Sequence, residues 1–147
     1  MARRVFFSFH YQNDVWRASI VRNSHIVEGT AAAGFQDASL WEEAKKKGDT
    51  AIQRMIDAAL MNTTVTAVLI GAETAYREWV DYEIKKSIER GNGLLGIYID
   101  QIKDRHGMVS LRGPVPTPLV HARAPVYVWD SSKFGDWVET VAKNAGR

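Results

Sequence analysis

VTAVLIGAETAYREWVDYEIKKSIERG, residues 65–91, decides the fold. Its first six residues, Val65 to Ile70, form an apolar run of strand length, as expected of a strand buried on both faces. After Gly71 the apolar spacing changes to 3.6 residues. Thr74 is a suitable N-cap and Gly91 a suitable C-terminal stop for a helix between them. In that helix Val80, Ile84 and Ile88 make one apolar stripe, and Tyr76, Trp79 and Glu83 follow one flank of it. Trp79 and Glu83 are four apart, so they stand one above the other. Glu78, Asp81, Lys85 and Glu89 already make the outer face polar, so solubility does not require a carboxylate at Glu83. Taken alone, Glu83 is either a rim glutamate hydrogen-bonded to nearby backbone or a functional group half-turned into a core face.

Working outward, three further segments read as strands. RVFFSF (residues 4–9) is nearly continuous in apolar residues, as a central strand is. LLGIYI (Leu94 to Ile99) follows the turn Gly91-Asn92-Gly93, and Val126 to Trp129 is shorter. A further short strand is expected over Phe35–Leu40, inside the small-residue stretch GTAAAGFQDASLW, with Asp37 and Trp41 at its far end. Trp41 is either a core anchor or part of a site wall. Helices are expected between the strands. Asn13 or Asp14 caps one carrying Trp16, Ile20 and Val21, after a turn made by His10, Tyr11 and Gln12. Thr50 and Gln53 match a capping box before Ile52, Met55, Ile56, Ala59 and Leu60. Ser131 or Ser132 caps a last helix with Phe134, Trp137, Val138, Val141 and Ala142 on one face. Lys45-Lys46-Lys47 is taken as a solvated helix entry. Residues 100–125, punctuated by Gly and Pro, show no period; a loop of that length is usually functional or flexible.

Strands alternating with helices predict a parallel sheet covered on both faces. Five strands in 147 residues fit one domain over residues 1–147, with a flavodoxin-like three-layer α/β fold and strand order 2-1-3-4-5. In that order strands 1 and 3 meet at the switch point, where ligands bind beyond the strand ends. Ser8 ends strand 1. Its small hydroxyl either relieves crowding or marks the mouth of a site. Glu83 lies on the helix after strand 3, so two distant segments line one crevice, which favours a functional Glu83.

Composition excludes several classes of protein. There is no cysteine, so disulfide and thiolate chemistry are out. The four histidines show no zinc spacing. A net charge of +2 gives no case for nucleic acid. No apolar run reaches the roughly 20 residues of a membrane span, and no leader pattern opens the chain, so a cytoplasmic protein is expected. GxGxxG and GxxxxGK[ST] loops are absent. The acidic cluster and strand-end aspartate of a phosphoacceptor domain are replaced by Ser8-Phe9-His10 and Ile70-Gly71. What remains is a lone carboxylate with hydroxyls and aromatics. One chemistry suits it. Cleaving the nicotinamide–ribose bond of NAD expels a neutral leaving group from a cationic ring, so no general acid is needed, unlike ordinary glycosides. A fixed glutamate would hold the ribose and steady the oxocarbenium-like charge. Trp79, Trp41 or Tyr11 could stack on the flat rings.

RVFFSFHYQ, FQDASLWEEAKKKGDTAIQRMIDAAL, TAVLIG and REWVDYEIKKSIERGNGLLGIYI closely resemble the TIR-like domain of the bacterial Thoeris antiphage system, the ThsB family. The likeness covers roughly residues 1–100 and includes the broader TIR pattern, a strand ending in serine and a W-x-x-x-E helix after strand 3. The resemblance implies an enzyme that takes NAD as substrate, with no bound cofactor or metal. It implies a cyclic or derivatised ADP-ribose messenger that activates a separate effector. Glu83 is then catalytic, Ser8 lines the nicotinamide-ribose side and Trp79 walls the pocket. Phe9, Tyr11, Asp37 and Trp41 are carried over by loop position. A homo-oligomer is implied for the active state. An assembly module without catalysis and a nucleotide sensor are the competing expectations.

Overall fold

Strand β3 (Val65–Ile70) is the middle of the sheet, with all six residues buried. The structure, a computed structural model, describes residues 3–24, 26–32 and 39–147, with Ser39 and Leu40 through their backbone alone. β3 pairs on one side with β1 (Arg4–Ser8) and on the other with β4 (Gly93–Tyr98). β2 (Glu28–Thr30) and β5 (Val126–Val128) form the edges. All pairings are parallel and the order is β2-β1-β3-β4-β5, the flavodoxin-like α/β arrangement expected from the sequence. Among the described residues, five α-helices lie between strands, α1 (Tyr11–Arg22), α2 (Ser39–Lys47), α3 (Asp49–Leu60), α4 (Glu78–Arg90) and α5 (Thr117–His121), and α6 (Phe134–Asn144) follows β5.

Alternation along the strands divides the core. Val68 and Ile70 of β3 pack against Val80 and Ile84 of α4 and Leu119 of α5. On β1, Phe7 faces the other way and stacks on Phe134 of α6. Right-handed crossovers require this division, because the chain steps from β1 to β2 in one direction and from β3 to β5 in the other.

Helix starts differ from expectation in a consistent way. α1 begins at Tyr11, because His10 rather than Asn13 or Asp14 is the N-cap, its Nδ1 accepting the Asn13 N–H at 3.1 Å. The helix is then rotated so that Tyr11, Asp14, Arg17, Ala18 and Val21 face inward, leaving Trp16 and Ile20 exposed. Arg17 accounts for the rotation. Its guanidinium donates to the carbonyls of Ile102 at 2.6 Å and Met108 at 2.9 Å and lies 3.5 Å from Asp14 Oδ1. Burial pushes the Asp14 carboxyl up to about 6 even with Arg17 beside it. The aperiodic stretch after β4 is thus tied to α1, and only α5 within it is helical.

Two of the expected capping hydroxyls, on Thr74 and Ser132, serve turns instead of helices. Thr74 sits in a single 3-10 turn (Thr74–Tyr76), where its Oγ1 accepts the Gly71 N–H at 2.8 Å. α4 begins only at Glu78, and Tyr76 is 73% exposed, off the Trp79–Glu83 flank. Gly91 ends α4 at φ 76°, as expected of a left-handed stop. Ile88, at the end of the expected apolar stripe, is half-exposed. α3 begins at Asp49 after Gly48, with no side-chain cap from Thr50, and the three lysines close α2 rather than open a helix, which suits their charge. Asp130, not α6, takes the Ser132 N–H and hydroxyl. The strand expected over Phe35–Leu40 lies outside the described residues up to position 38, while Ser39 and Leu40 are helical.

Gly71 is required by the close approach of α1. A Cβ there would lie 2.8 Å from Asp14 Cγ. Gly71→Ala is expected to cost about 1–3 kcal/mol, the usual overpacking range, read from urea or thermal melts. A melt like the parent's would mean that Asp14 swings clear without losing Arg17.

Candidate active site

β1 ends at Ser8, whose partner across the ladder is Val68 of β3. Glu83 lies in the second turn of α4, on the face packed against these two strands. The Ser8 hydroxyl donates to Glu83 Oε1 at 2.7 Å, and both residues are buried. A carboxylate in that setting has lost its water and has one neutral donor in return. Burial therefore pushes Glu83 up to about 8, with the Ser8 hydrogen bond pulling the other way.

Aromatic rings wall the space beside Glu83. Phe9 stacks on Tyr11 at 5.5 Å between centroids, and Tyr11 on Trp41 at 6.1 Å. Trp79 meets Tyr82 edge-on at 5.4 Å. Phe7, Arg77, Val80 and the Ala31–Ala32 pair complete the lining. The free volume is about 20 Å³, room for roughly one water. The Trp41 indole N–H is buried without a partner among the described residues. Next to the cleft, His10 Nδ1 is committed to capping α1, and burial, then Arg77, hold its pKa below the usual value. A far larger open groove, about 790 Å³, runs between α4 and α5 past Asp81, Lys85 and His121. It contains neither Ser8 nor Glu83.

Six expected site residues thus meet in one place: Ser8, Phe9, Tyr11, Trp41, Trp79 and Glu83. Asp37 lies outside the described residues. Tyr11 takes part as the first residue of α1 rather than from a turn, and Trp41 from α2 rather than from a strand end. Arg77 was missed. Treating Gly71–Gly91 as one continuous helix puts it on an outer face, whereas the 3-10 turn makes it the N-cap of α4 and brings it to the cleft.

The Glu83 shift carries a stability consequence. Its folded pKa is raised above the unfolded value, so the folded chain binds the extra proton between about pH 4.5 and 8, and stability falls as pH rises through that window. Glu83→Gln keeps the Ser8 bond and removes the titration. The variant should melt close to the parent at pH 5 and progressively above it toward pH 8, by on the order of a few kcal/mol. Parallel melting curves at all pH values would show that Glu83 is hydrated.

A parallel 2-1-3-4-5 sheet with a buried W-x-x-x-E glutamate facing a serine at the tip of β1 defines a TIR-like domain. The chain belongs to the ThsB family, since residues 6–104 match the family described as Thoeris protein ThsB, TIR-like domain. It is also 52% identical over 118 residues to a Bacillus cereus (strain MSX-D12) protein named "Putative cyclic ADP-D-ribose synthase ThsB1". The match covers 79% of this chain and 62% of that protein, so the chain spans less than two thirds of the relative's length.

Proposed function

We propose that this protein consumes NAD in antiphage defence, cleaving the nicotinamide–ribose bond and releasing a cyclic or otherwise derivatised ADP-ribose that activates a separate effector. The observation that carries the proposal is the buried Ser8–Glu83 pair facing an aromatic cleft at the sheet's switch point. The name of the Bacillus cereus relative agrees with it.

In the proposed reaction the bond from ribose C1′ to the ring nitrogen breaks, and its electron pair neutralises the nicotinamide cation. The Glu83 carboxylate steadies the positive charge left on the sugar, and Ser8 orients that carboxylate. A nucleophile of ADP-ribose itself, or water, then takes C1′. Arg77 supplies a cation to the cleft for the dinucleotide's phosphates, and the Trp41 N–H, without a partner among the described residues, suits an acceptor on the ligand. The small free volume means that the ring wall shifts outward when substrate enters. A homo-oligomer is the proposed active form.

Two measurements test this. Mass spectrometry of small molecules from phage-infected cells should show NAD falling and a new NAD-derived nucleotide appearing with the parent, and neither with Glu83→Gln. No product from the parent would leave an assembly module or a nucleotide sensor, which calorimetry with NAD and ADP-ribose would separate. In vitro, kcat/KM should rise with pH and level off near 8, as Glu83 becomes the anion. The limb in kcat should lie lower, because the bound nicotinamide cation favours the charged carboxylate. A profile flat from pH 6 to 9 would remove Glu83 from the chemistry.

A further inference from the structure

Two hydroxyl rungs join α4 to the sheet, and only the upper one, Ser8–Glu83, belongs to the cleft. The lower one is Thr66 Oγ1 of β3 and Ser87 Oγ of α4, 2.6 Å apart and fully buried. Its direction follows from the neighbouring bonds. Ser87 Oγ donates to the Glu83 carbonyl oxygen at 2.8 Å, so Thr66 must be the donor to Ser87. Thr66 Oγ1 in turn accepts from Asn92 Nδ2 at 3.3 Å, and the same amide donates to Thr63 Oγ1 at 3.0 Å. Thr63 passes its own hydrogen to the Leu60 carbonyl at 2.6 Å. The chain of donors from Asn92 through Thr66 and Ser87 therefore ends on the peptide of Glu83. Hydrogen bonds aligned in this way reinforce one another.

The spacing of the rungs matters as much as their existence. Ser8 is level with Val68, two strand residues above Thr66, which is about 6.7 Å. Glu83 and Ser87 are four helix residues apart, about 6 Å. The two repeats match, so both rungs close together in one height and one rotation of α4. Val80 and Ile84, packed on Val68 and Ile70, supply attraction without direction. Stability does not explain the lower rung, since replacing both partners of a buried pair by apolar groups of the same shape is nearly neutral.

We infer that Thr66 and Ser87 are positioning residues for Glu83, holding α4 at the one setting where its carboxylate meets Ser8 and, on the function proposed above, the substrate's ribose. Two substitutions at one position separate position from packing. Thr66→Val keeps the shape and loses the hydroxyl, whereas Thr66→Ser keeps the hydroxyl and loses a methyl. Thr66→Val is expected to lower kcat about ten- to hundredfold with KM close to the parent's, and to melt lower because Asn92 and Ser87 each lose a buried partner. Thr66→Ser is expected to melt lower and turn over normally. Ser87→Ala removes the same bond from the helix side and replaces Thr66→Val should that variant not fold.

A second readout needs no turnover. The side-chain carboxyl carbon of Glu83 can be followed by NMR in protein made with labelled glutamate, the resonance being the one missing from Glu83→Gln. Its midpoint should stay at the parent's value in Thr66→Ser and should move away from it in Thr66→Val and Ser87→Ala, upward where the Ser8 bond is lost and the carboxyl stays buried. An inactive parent with this NMR pattern would sink the proposed function and leave the positioning role standing. Normal kcat and an unmoved midpoint in Thr66→Val, or Thr66→Ser as impaired as Thr66→Val, would overturn the positioning role alone.

Discussion

A carboxyl group removed from water and given one hydroxyl in exchange is the constraint the rest of the structure accommodates. Glu83 costs stability wherever it is ionised, so its environment must be supplied by elements that the core holds for other reasons. β3 is buried along its whole length, and β1 is anchored beside it by Val5, Phe6 and Phe7. Ser8 is the first position of β1 where a polar atom can be satisfied by the helix crossing the strand ends. The site is where hydrophobic order stops.

Parallel topology makes this inexpensive. Strands that run the same way deliver their C-terminal ends to one edge, and the reversal of strand order between β1 and β3 opens a crevice there. α1 brings Tyr11 and α2 brings Trp41 to that edge, and neither helix needs chemistry of its own. The stacked rings bury apolar area while closing the cleft, so the same contacts serve folding and site shape. The tyrosine at the start of α1 is held there by the His10 cap, a bond that uses the neutral imidazole.

Much of this was legible in the sequence, for identifiable reasons. β3 and β4 followed from apolar runs of strand length, and the strand order from the alternation of strands with helices, which fits a flavodoxin-like fold. Glu83 stood out because the outer face of α4 was already polar. β2 was not legible, since Glu28-Gly29-Thr30 has neither alternation nor length, and it is a strand only because β1 offers it an open edge. Helix starts failed wherever a side chain had two possible uses. Thr74 closes a turn, His10 caps a helix, and the inward face of α1 was set by Arg17 reaching a loop some 85 residues away in sequence. No local pattern encodes such a partner. Arg77 escaped for the same reason, because its place in the cleft depends on a break in the helix that the apolar spacing does not reveal.

The grip of Arg17 on the carbonyls of Ile102 and Met108 has a further consequence for how this molecule can vary. The Arg17 guanidinium grips both ends of the seven residues from 102 to 108, and Asp104 ties the interior by accepting the backbone N–H groups of His106, Gly107 and Met108. The side chains of Arg105 and His106 are exposed at the tip of this excursion, so they can change character without breaking the backbone bonds that close it or reaching the residues around Glu83.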